Sequence, residues 1–265
     1  VNPFLEHTRE AVFLQDGEFA IIEEELKLYR EGEKVEPEVK EIDWDVEEAS
    51  KAGHSHFMEK EILEQSETVK RAVFQDKSDV EKSVEMIEEA NKVYLTACGT
   101  ASFAADLGAK YLREAGIEAY SEQSHEFEYM ADQVSEDDLV VAVSQSGETA
   151  DLLSALKQVD APVLSAVNVV GSTLARNSDH NMYVNAGPEI GVASTKAFTA
   201  QLTVLKLLSL TMQKGLDDAR DSLLDTSEKI DPMLEENREE INQIAEYIAE
   251  KEDVYFIGRN KGREL

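Results

Sequence analysis

Asp138-Leu139-Val140-Val141-Ala142-Val143 runs without a break into Ser144-Gln145-Ser146-Gly147-Glu148-Thr149, and this stretch decides the fold. The first half is a short apolar run of the kind that forms a strand buried on both faces in a parallel sheet. The second half is a turn rich in serine, followed by a helical pattern over 148–158. Upstream, Val93-Tyr94-Leu95-Thr96-Ala97 repeats the arrangement and empties into Cys98-Gly99-Thr100-Ala101-Ser102 and a helix near 100–115. A short strand near 117–121 and a helix near 125–131 fill the interval. Beyond them come a strand at 163–168, a turn of helix at 172–177, a strand at 181–184 and a long helix near 194–213. That helix carries Phe198, Leu202, Leu205, Leu208 and Met212 at core spacing. Strands separated by helices predict an α/β fold, a three-layer αβα sandwich about a parallel sheet. Such sheets take ligands outside the carboxyl ends of their strands, so chemistry is expected in the loops after residues 97, 143 and 184.

Working outward, Met58, Ile62, Val69 and Val73 lie on one helical stripe, and Val80, Val84 and Ile87 on the next. Residues 1–42 read as a small unit of their own. Ala11-Val12-Phe13-Leu14 and Phe19-Ala20-Ile21-Ile22 predict a hairpin around Gln15-Asp16-Gly17-Glu18. Two strands alone are marginally stable, so the hairpin reads as the remnant of a larger sheet. Residues 30–53 are polar and acidic and look like a linker, and 217–250 look like acidic helices. Val254-Tyr255-Phe256-Ile257 predicts a strand opening a further βα unit. With a start at valine, this suggests a piece of something larger.

The 265 residues include 56 acidic against 26 basic side chains, a net charge of −30. Sequence-independent nucleic-acid binding needs clustered Lys and Arg, which are missing here, and an anionic membrane surface is disfavoured for the same reason. No apolar run approaches the ~18 residues of a membrane span. The single cysteine cannot form an internal disulfide, and Val1-Asn2-Pro3-Phe4 has no signal-peptide character, so the chain reads as cytoplasmic. So acidic a surface suits a cytoplasm of high salt, where the Debye length shrinks to ~3 Å at 1 M. The alternative is an acidic protein of ordinary cytoplasm.

Three turns point to a phosphate. Cys98–Ser102, Ser144–Thr149 and Ala186–Lys196 each combine small or hydroxylated residues with the start of a helix. Helix starts present unpaired N–H groups and the positive end of the dipole. Serine and threonine before a helix are also ordinary caps. Ser144-Gln145-Ser146-Gly147 exceeds that need, because one cap uses one hydroxyl. Ser144, Ser146 and Thr149 are expected to bond phosphate oxygens, and Gly147 to let the backbone come close to the ligand. Neither a Walker sequence nor Gly-x-Gly-x-x-Gly is present. A phosphate held by neutral donors suits a small sugar monophosphate.

Other candidates have simpler readings. Cys98 reads as a half-buried packing thiol. His54 and His56, two residues apart in a linker, read as solvated rather than as metal ligands, and no metal site is expected. Lys196, in a first helical turn, is either paired with Glu189 or exposed. Glu148 is taken to sit in the first turn of its own helix, and Glu59, Glu61 and Glu64 to face solvent.

Ala97-Cys98-Gly99-Thr100, Ser144 through Asp151, and Glu189-Ile190-Gly191-Val192-Ala193-Ser194-Thr195-Lys196-Ala197-Phe198-Thr199 resemble the first sugar isomerase (SIS) domain of the glutamine–fructose-6-phosphate aminotransferases. Phe57 through Gln65 resembles that family's lead-in helix, and Asn168-Val169-Val170-Gly171-Ser172 a further family segment. The resemblance implies a remnant of the glutaminase domain over 1–42, a linker over 43–56 and the first SIS domain over 57–215. A helical connector over 216–250 and the truncated start of a second SIS domain over 251–265 would follow. It implies fructose 6-phosphate or glucosamine 6-phosphate as ligand, no cofactor or metal, and a homodimer in the full-length enzyme. Carried over, Thr100, Ser144, Gln145, Ser146 and Thr149 would bind the phosphate and nearby hydroxyls, and Val192 and Ser194 would line the sugar site. Ala101 stands where the family usually has serine, so that hydroxyl is lost or replaced by Ser102. The family's nucleophilic cysteine, Schiff-base lysine, enolisation glutamate and ring-opening histidine have no counterparts between Val1 and Leu265, so no catalytic residue is expected in this chain. Two other readings are a stand-alone SIS-type sensor of amino-sugar phosphates and a ketose–aldose isomerase. The latter would need a base, for which Glu189 is the candidate.

Overall fold

The computed structural model describes residues 7–8, 10–15, 17–23, 26–41 and 51–258, which divide into two units at Gly53–His54. The core of the expected linker, 43–50, and residues 259–265 lie outside this description.

In the first unit, β1 (Glu10–Val12) pairs antiparallel with β5 (Val39–Glu41). Strands β2 (Glu18–Ile22), β3 (Leu26–Arg30) and β4 (Glu33–Val35) form a second antiparallel sheet. The expected hairpin is therefore corrected: the strand at 19–22 pairs with 26–30, not with 11–14. Tyr29 stacks on Phe19 at 5.2 Å, and Arg30 offers what the 11–14 segment lacks, a cation to pair with Glu18. The polar stretch after residue 30 is not all linker either, because a turn at Glu31-Gly32 leads straight into β4.

The second unit opens with α1 (Phe57–Leu63), α2 (Gln65–Val73) and α3 (Lys77–Glu89), the first two separated at Glu64. Then come β6 (Val93–Ala97), α4 (Thr100–Glu114), β7 (Ala119–Gln123), α5 (Ser124–Phe127) with a 3₁₀ turn to Gln133, and β8 (Leu139–Ser144). Next are α6 (Ala150–Leu156), β9 (Val163–Val167), α7 (Thr173–Asn177), β10 (His180–Tyr183) and α8 (Lys196–Lys214). Two acidic helices follow, α9 (Leu216–Glu236) and α10 (Arg238–Ala249).

The five strands form one parallel sheet in the order β10-β9-β8-β6-β7. Alternation along each strand builds two cores. Leu95, Val141, Val143, Leu164 and Met182 pack with α3, α4 and α8, whereas Tyr94, Val140, Ala142 and Val167 pack with Phe127, Leu152 and Leu174 on the other face. This is the three-layer sandwich that the continuous apolar runs predict. The chain leaves β6 for β7 on one side and then returns to β8 on the other. The crevice at the carboxyl ends of β6 and β8 is thus the switch point of the sheet, where open α/β folds bind ligands.

One terminal expectation fails. Residues 254–258 form no strand, and Tyr255, Phe256 and Ile257 are more than 80% exposed. An apolar run becomes a strand only where a neighbouring edge pairs with it, and none among the described residues does.

Candidate functional site

At the end of β6 the chain turns through Gly99, whose φ of +59° and ψ of −137° place it at the cap of α4. At the end of β8 it turns through Gln145–Glu148 into α6, with Thr149 at the cap. Both helix starts face the switch point. Between them lies an open hollow of about 280 Å³, at the small end of ligand clefts (about 300–1,000 Å³). Its wall includes Thr100 from the first turn and Ser144, Gln145, Ser146 and Thr149 from the second. Val192 and Ser194 close it from a third segment, Val192 as a fully exposed lip. The structure thus brings all seven expected site residues to one place. Cys98, Ala101 and Gln201 line it too; the last was not singled out in the sequence.

The hollow is rich in hydrogen-bond donors. Ser144 Oγ accepts from Gly147 N at 2.9 Å, and Ser146 Oγ accepts from Glu148 N at 3.1 Å. Each hydroxyl keeps its own proton to donate. Thr149 Oγ1 lies 3.4 Å from Ser144 Oγ. The N–H groups of Gln145, Ser146, Thr149 and Ala150 have no acceptor among the described residues. An anion at this mouth would meet neutral donors and two helix dipoles, each charge-assisted hydrogen bond contributing ~1.5–3 kcal/mol.

Several assignments change. Ser102 does not replace a hydroxyl at position 101: it is buried and its Oγ donates to Gly99 O at 2.7 Å, fixing the turn instead. Gly147 is required on the side away from the hollow. A Cβ there would stand 2.1 Å from Ser172 Oγ, and φ is +67°. Glu148 is not helical; its carboxylate accepts from Thr173 N at 2.7 Å and so serves α7.

The third segment is held by carboxylates read from the sequence as solvent-facing. Glu61, 2% exposed, accepts from Ile190 N at 2.6 Å and Gly191 N at 3.0 Å through one oxygen. Glu64 takes Lys196 Nζ at 2.7 Å and Lys60 Nζ at 3.3 Å. Burial raises the Glu64 pKa, but the hydrogen bonds and charges of Lys196 and Lys60 outweigh it and hold the carboxyl below its ordinary value. Lys196 is therefore neither exposed nor bound to Glu189. It is buried, and its charge is neutralised across 132 residues of sequence. Glu189 instead caps α8, accepting from Thr195 N at 2.8 Å, Ala197 N at 3.0 Å and the Ser194 hydroxyl at 3.1 Å. A carboxylate so committed, and outside the wall of the hollow, gives the isomerase reading no base. Asn168 secures the start of the same segment, bonding Ala186 N and Gly187 O. Glu59 is exposed and His54 lies 3.9 Å from it; no metal-holding group of His, Cys, Asp and Glu occurs among the described residues.

Among the described residues no helix is long and apolar enough to cross a membrane. A family profile described as "SIS domain" matches residues 86–211. Glutamine–fructose-6-phosphate aminotransferase (isomerizing) from Thermococcus kodakarensis is 39% identical, over 98% of this chain and 46% of its own length. Its counterpart from Methanothermobacter thermautotrophicus is 39% identical, over 98% of this chain and 44% of its own. Among solved structures, the C-terminal domain of the glucosamine-fructose-6-phosphate aminotransferase from Francisella tularensis superposes with a TM-score of 0.64 at 34% identity, covering 77% of this chain and 62% of that one. The chain spans slightly less than half the length of the curated relatives it matches. Residues 86–211 thus resemble a SIS domain, and the chain is similar along nearly all of its length to the glutamine–fructose-6-phosphate aminotransferases.

Proposed function

We propose that this chain is the sugar-phosphate-binding part of an enzyme that makes glucosamine 6-phosphate from fructose 6-phosphate and glutamine, and that residues 1–42 derive from its glutaminase domain. The observation that carries this reading is the convergence of Thr100, Ser144, Gln145, Ser146, Thr149, Val192 and Ser194 on one hollow at the switch point of the sheet. The phosphate would sit on the Gln145, Ser146 and Thr149 amides with the Ser144, Ser146 and Thr149 hydroxyls around it. The sugar would extend toward Val192 and Ser194. A chain with these residues binds and orients the sugar phosphate. Neither lysine nor arginine lines the hollow, so recognition rests on geometry rather than on net charge. That is consistent with a chain carrying −30 charges overall.

Ser146→Ala is expected to leave the fold unchanged and to weaken fructose 6-phosphate binding by at least ~1 kcal/mol, a floor set below the ~1.5–3 kcal/mol of a full hydrogen bond to a charged group. Titration calorimetry on the 265-residue chain measures this. Equal affinities for the two proteins would remove the phosphate from this loop.

The acidic surface supports a high-salt working medium. Carboxylates crowded at this density repel one another unless screened, so the melting temperature should climb between 0.1 and 2 M KCl. A flat or falling curve would leave the charge without that explanation.

A further inference from the structure

From the environment of Gln201 we infer that its carboxamide is a further ligand-binding group of the hollow, one that recognises a hydroxyl of the bound sugar rather than its phosphate. The inference rests on the sugar-phosphate reading above and extends it to a residue on α8. This helix turns Ala197, Ala200, Val204 and Leu208 inward against the sheet, and all four are fully or almost fully buried. Gln201 lies on that same inner face and is 1% exposed. The helix has four buried polar side chains, and the other three are satisfied. Lys196 pairs with Glu64, Thr203 Oγ1 donates to Thr199 O at 2.8 Å and Ser209 Oγ donates to Tyr111 O at 2.6 Å. Of these four, Gln201 has no partner for its carboxamide among the described residues, and its Oε1 is a buried acceptor with no donor; the other unpartnered oxygen on α8, Thr211 Oγ1, belongs to a side chain that does not line the hollow. Leaving such a group unpaired carries a desolvation cost that an apolar residue of similar size would avoid. A leucine or methionine would continue the stripe around it.

The position resolves the difficulty, because Gln201 also lines the hollow, as do Cys98 and Ala101. A carboxamide offers both acceptors and donors and carries no charge. It therefore matches a hydroxyl, which also donates and accepts, and has no particular complementarity to a dianion. The wall would then divide its labour. The Ser144–Thr149 turn supplies the N–H and hydroxyl donors that an anion requires, and Gln201, like Gln145 on that turn, supplies a carboxamide oxygen able to accept from a sugar hydroxyl. Sites built to hydrogen-bond a hydroxyl discriminate strongly against analogues lacking it, so this residue would contribute specificity rather than bulk affinity.

Calorimetry of the 265-residue chain with fructose 6-phosphate and with inorganic phosphate tests this, comparing wild type with Gln201→Leu and Gln201→Met. Thermal melting of each ligand-free variant establishes that it is folded. The expected result is a loss of about five- to twentyfold in fructose 6-phosphate affinity in both variants, with inorganic phosphate affinity unchanged within twofold. The ligand-free melting temperature should be equal or higher, since an unpaired buried amide has been removed. Fructose 6-phosphate bound equally well by wild type and by either folded variant would overturn the role of Gln201. A parallel loss for inorganic phosphate would overturn it too, because it would show a general disturbance of the hollow. Wild type that binds neither ligand would instead defeat the sugar-phosphate reading itself.

Discussion

Gly147→Ala is expected to destabilise the second unit by about 2–4 kcal/mol, one of the two largest effects foreseen for a single substitution. Two costs combine. A φ of +67° costs an L-residue ~1–2 kcal/mol. The new methyl would also stand 2.1 Å from Ser172 Oγ and 2.6 Å from Ser172 Cβ, where real atoms never meet. Ser172 cannot simply withdraw. It is the N-cap of α7, and its Oγ accepts from Ala175 N, a contact whose loss costs ~1 kcal/mol. Gly147 O, meanwhile, accepts from Leu174 N at 3.0 Å, so the two turns are stitched at the point where the methyl would push them apart. Urea denaturation gives the midpoint, and an unchanged slope would locate the effect in the folded state. The double variant Gly147→Ala with Ser172→Gly should regain the steric part and not the dihedral part. A loss below about 1 kcal/mol in the single variant would contradict this account of the turn.

Glu61→Ala is expected to cost about 2–4 kcal/mol, with a loss of sugar-phosphate affinity that Glu59→Ala does not share. Glu61 Oε1 accepts from two consecutive amides, Ile190 N and Gly191 N, in a buried setting. Hydrogen bonds to a charged group are worth ~1.5–3 kcal/mol each, and removing the carboxylate strands both donors. Part of that is returned, because a desolvated carboxylate with an unpartnered second oxygen is also removed. The remaining loss falls on the segment carrying Val192 and Ser194, the third wall of the hollow. Chemical denaturation reads the stability, and calorimetry at a temperature where both proteins are folded reads the affinity. Full affinity in a destabilised Glu61→Ala would show that the wall needs no support from α1.

The outcomes for Glu61, Glu64 and Lys196 share one cause. Periodicity assigns a charged helical residue to solvent by default, because burial of an unpaired charge is prohibitive. That default fails where a partner arrives from far away in sequence. Lys196 and Glu64 are 132 positions apart, and Glu61 and Ile190 are 129 apart. Lys196 was out of place in a first helical turn, where the dipole repels it. That misfit was a legible signal of a hidden partner, though not of which one. Gln201 gave a fainter signal, as a polar residue on an otherwise apolar stripe.

The Ser144–Thr149 turn lay open to reading because its meaning is local. An unbroken apolar run fixes a doubly covered strand, and clustered hydroxyls with a glycine fix a turn able to face an anion. No distant residue is needed for either inference. The same locality gave the layer architecture and the Ser144, Ser146 and Thr149 hydroxyls, whereas Thr100, Gln145, Val192 and Ser194 are named as site residues only through the family resemblance. Pairing was decided otherwise. The β2 strand had two chemically acceptable neighbours, each with an aromatic residue, and the later one adds the Arg30–Glu18 ion pair to the stack of Phe19 on Tyr29. The sequence by itself thus determined the strands and helices of the αβα sandwich, their layers and the donors at the mouth of the sheet, because these depend on side-chain period and short-range chemistry. Only the tertiary structure decided which carboxylates hold the third wall, which way Gly147 faces and where Gln201 stands, because those depend on contacts between residues far apart in the chain, from Gly147 against Ser172 to Glu64 with Lys196.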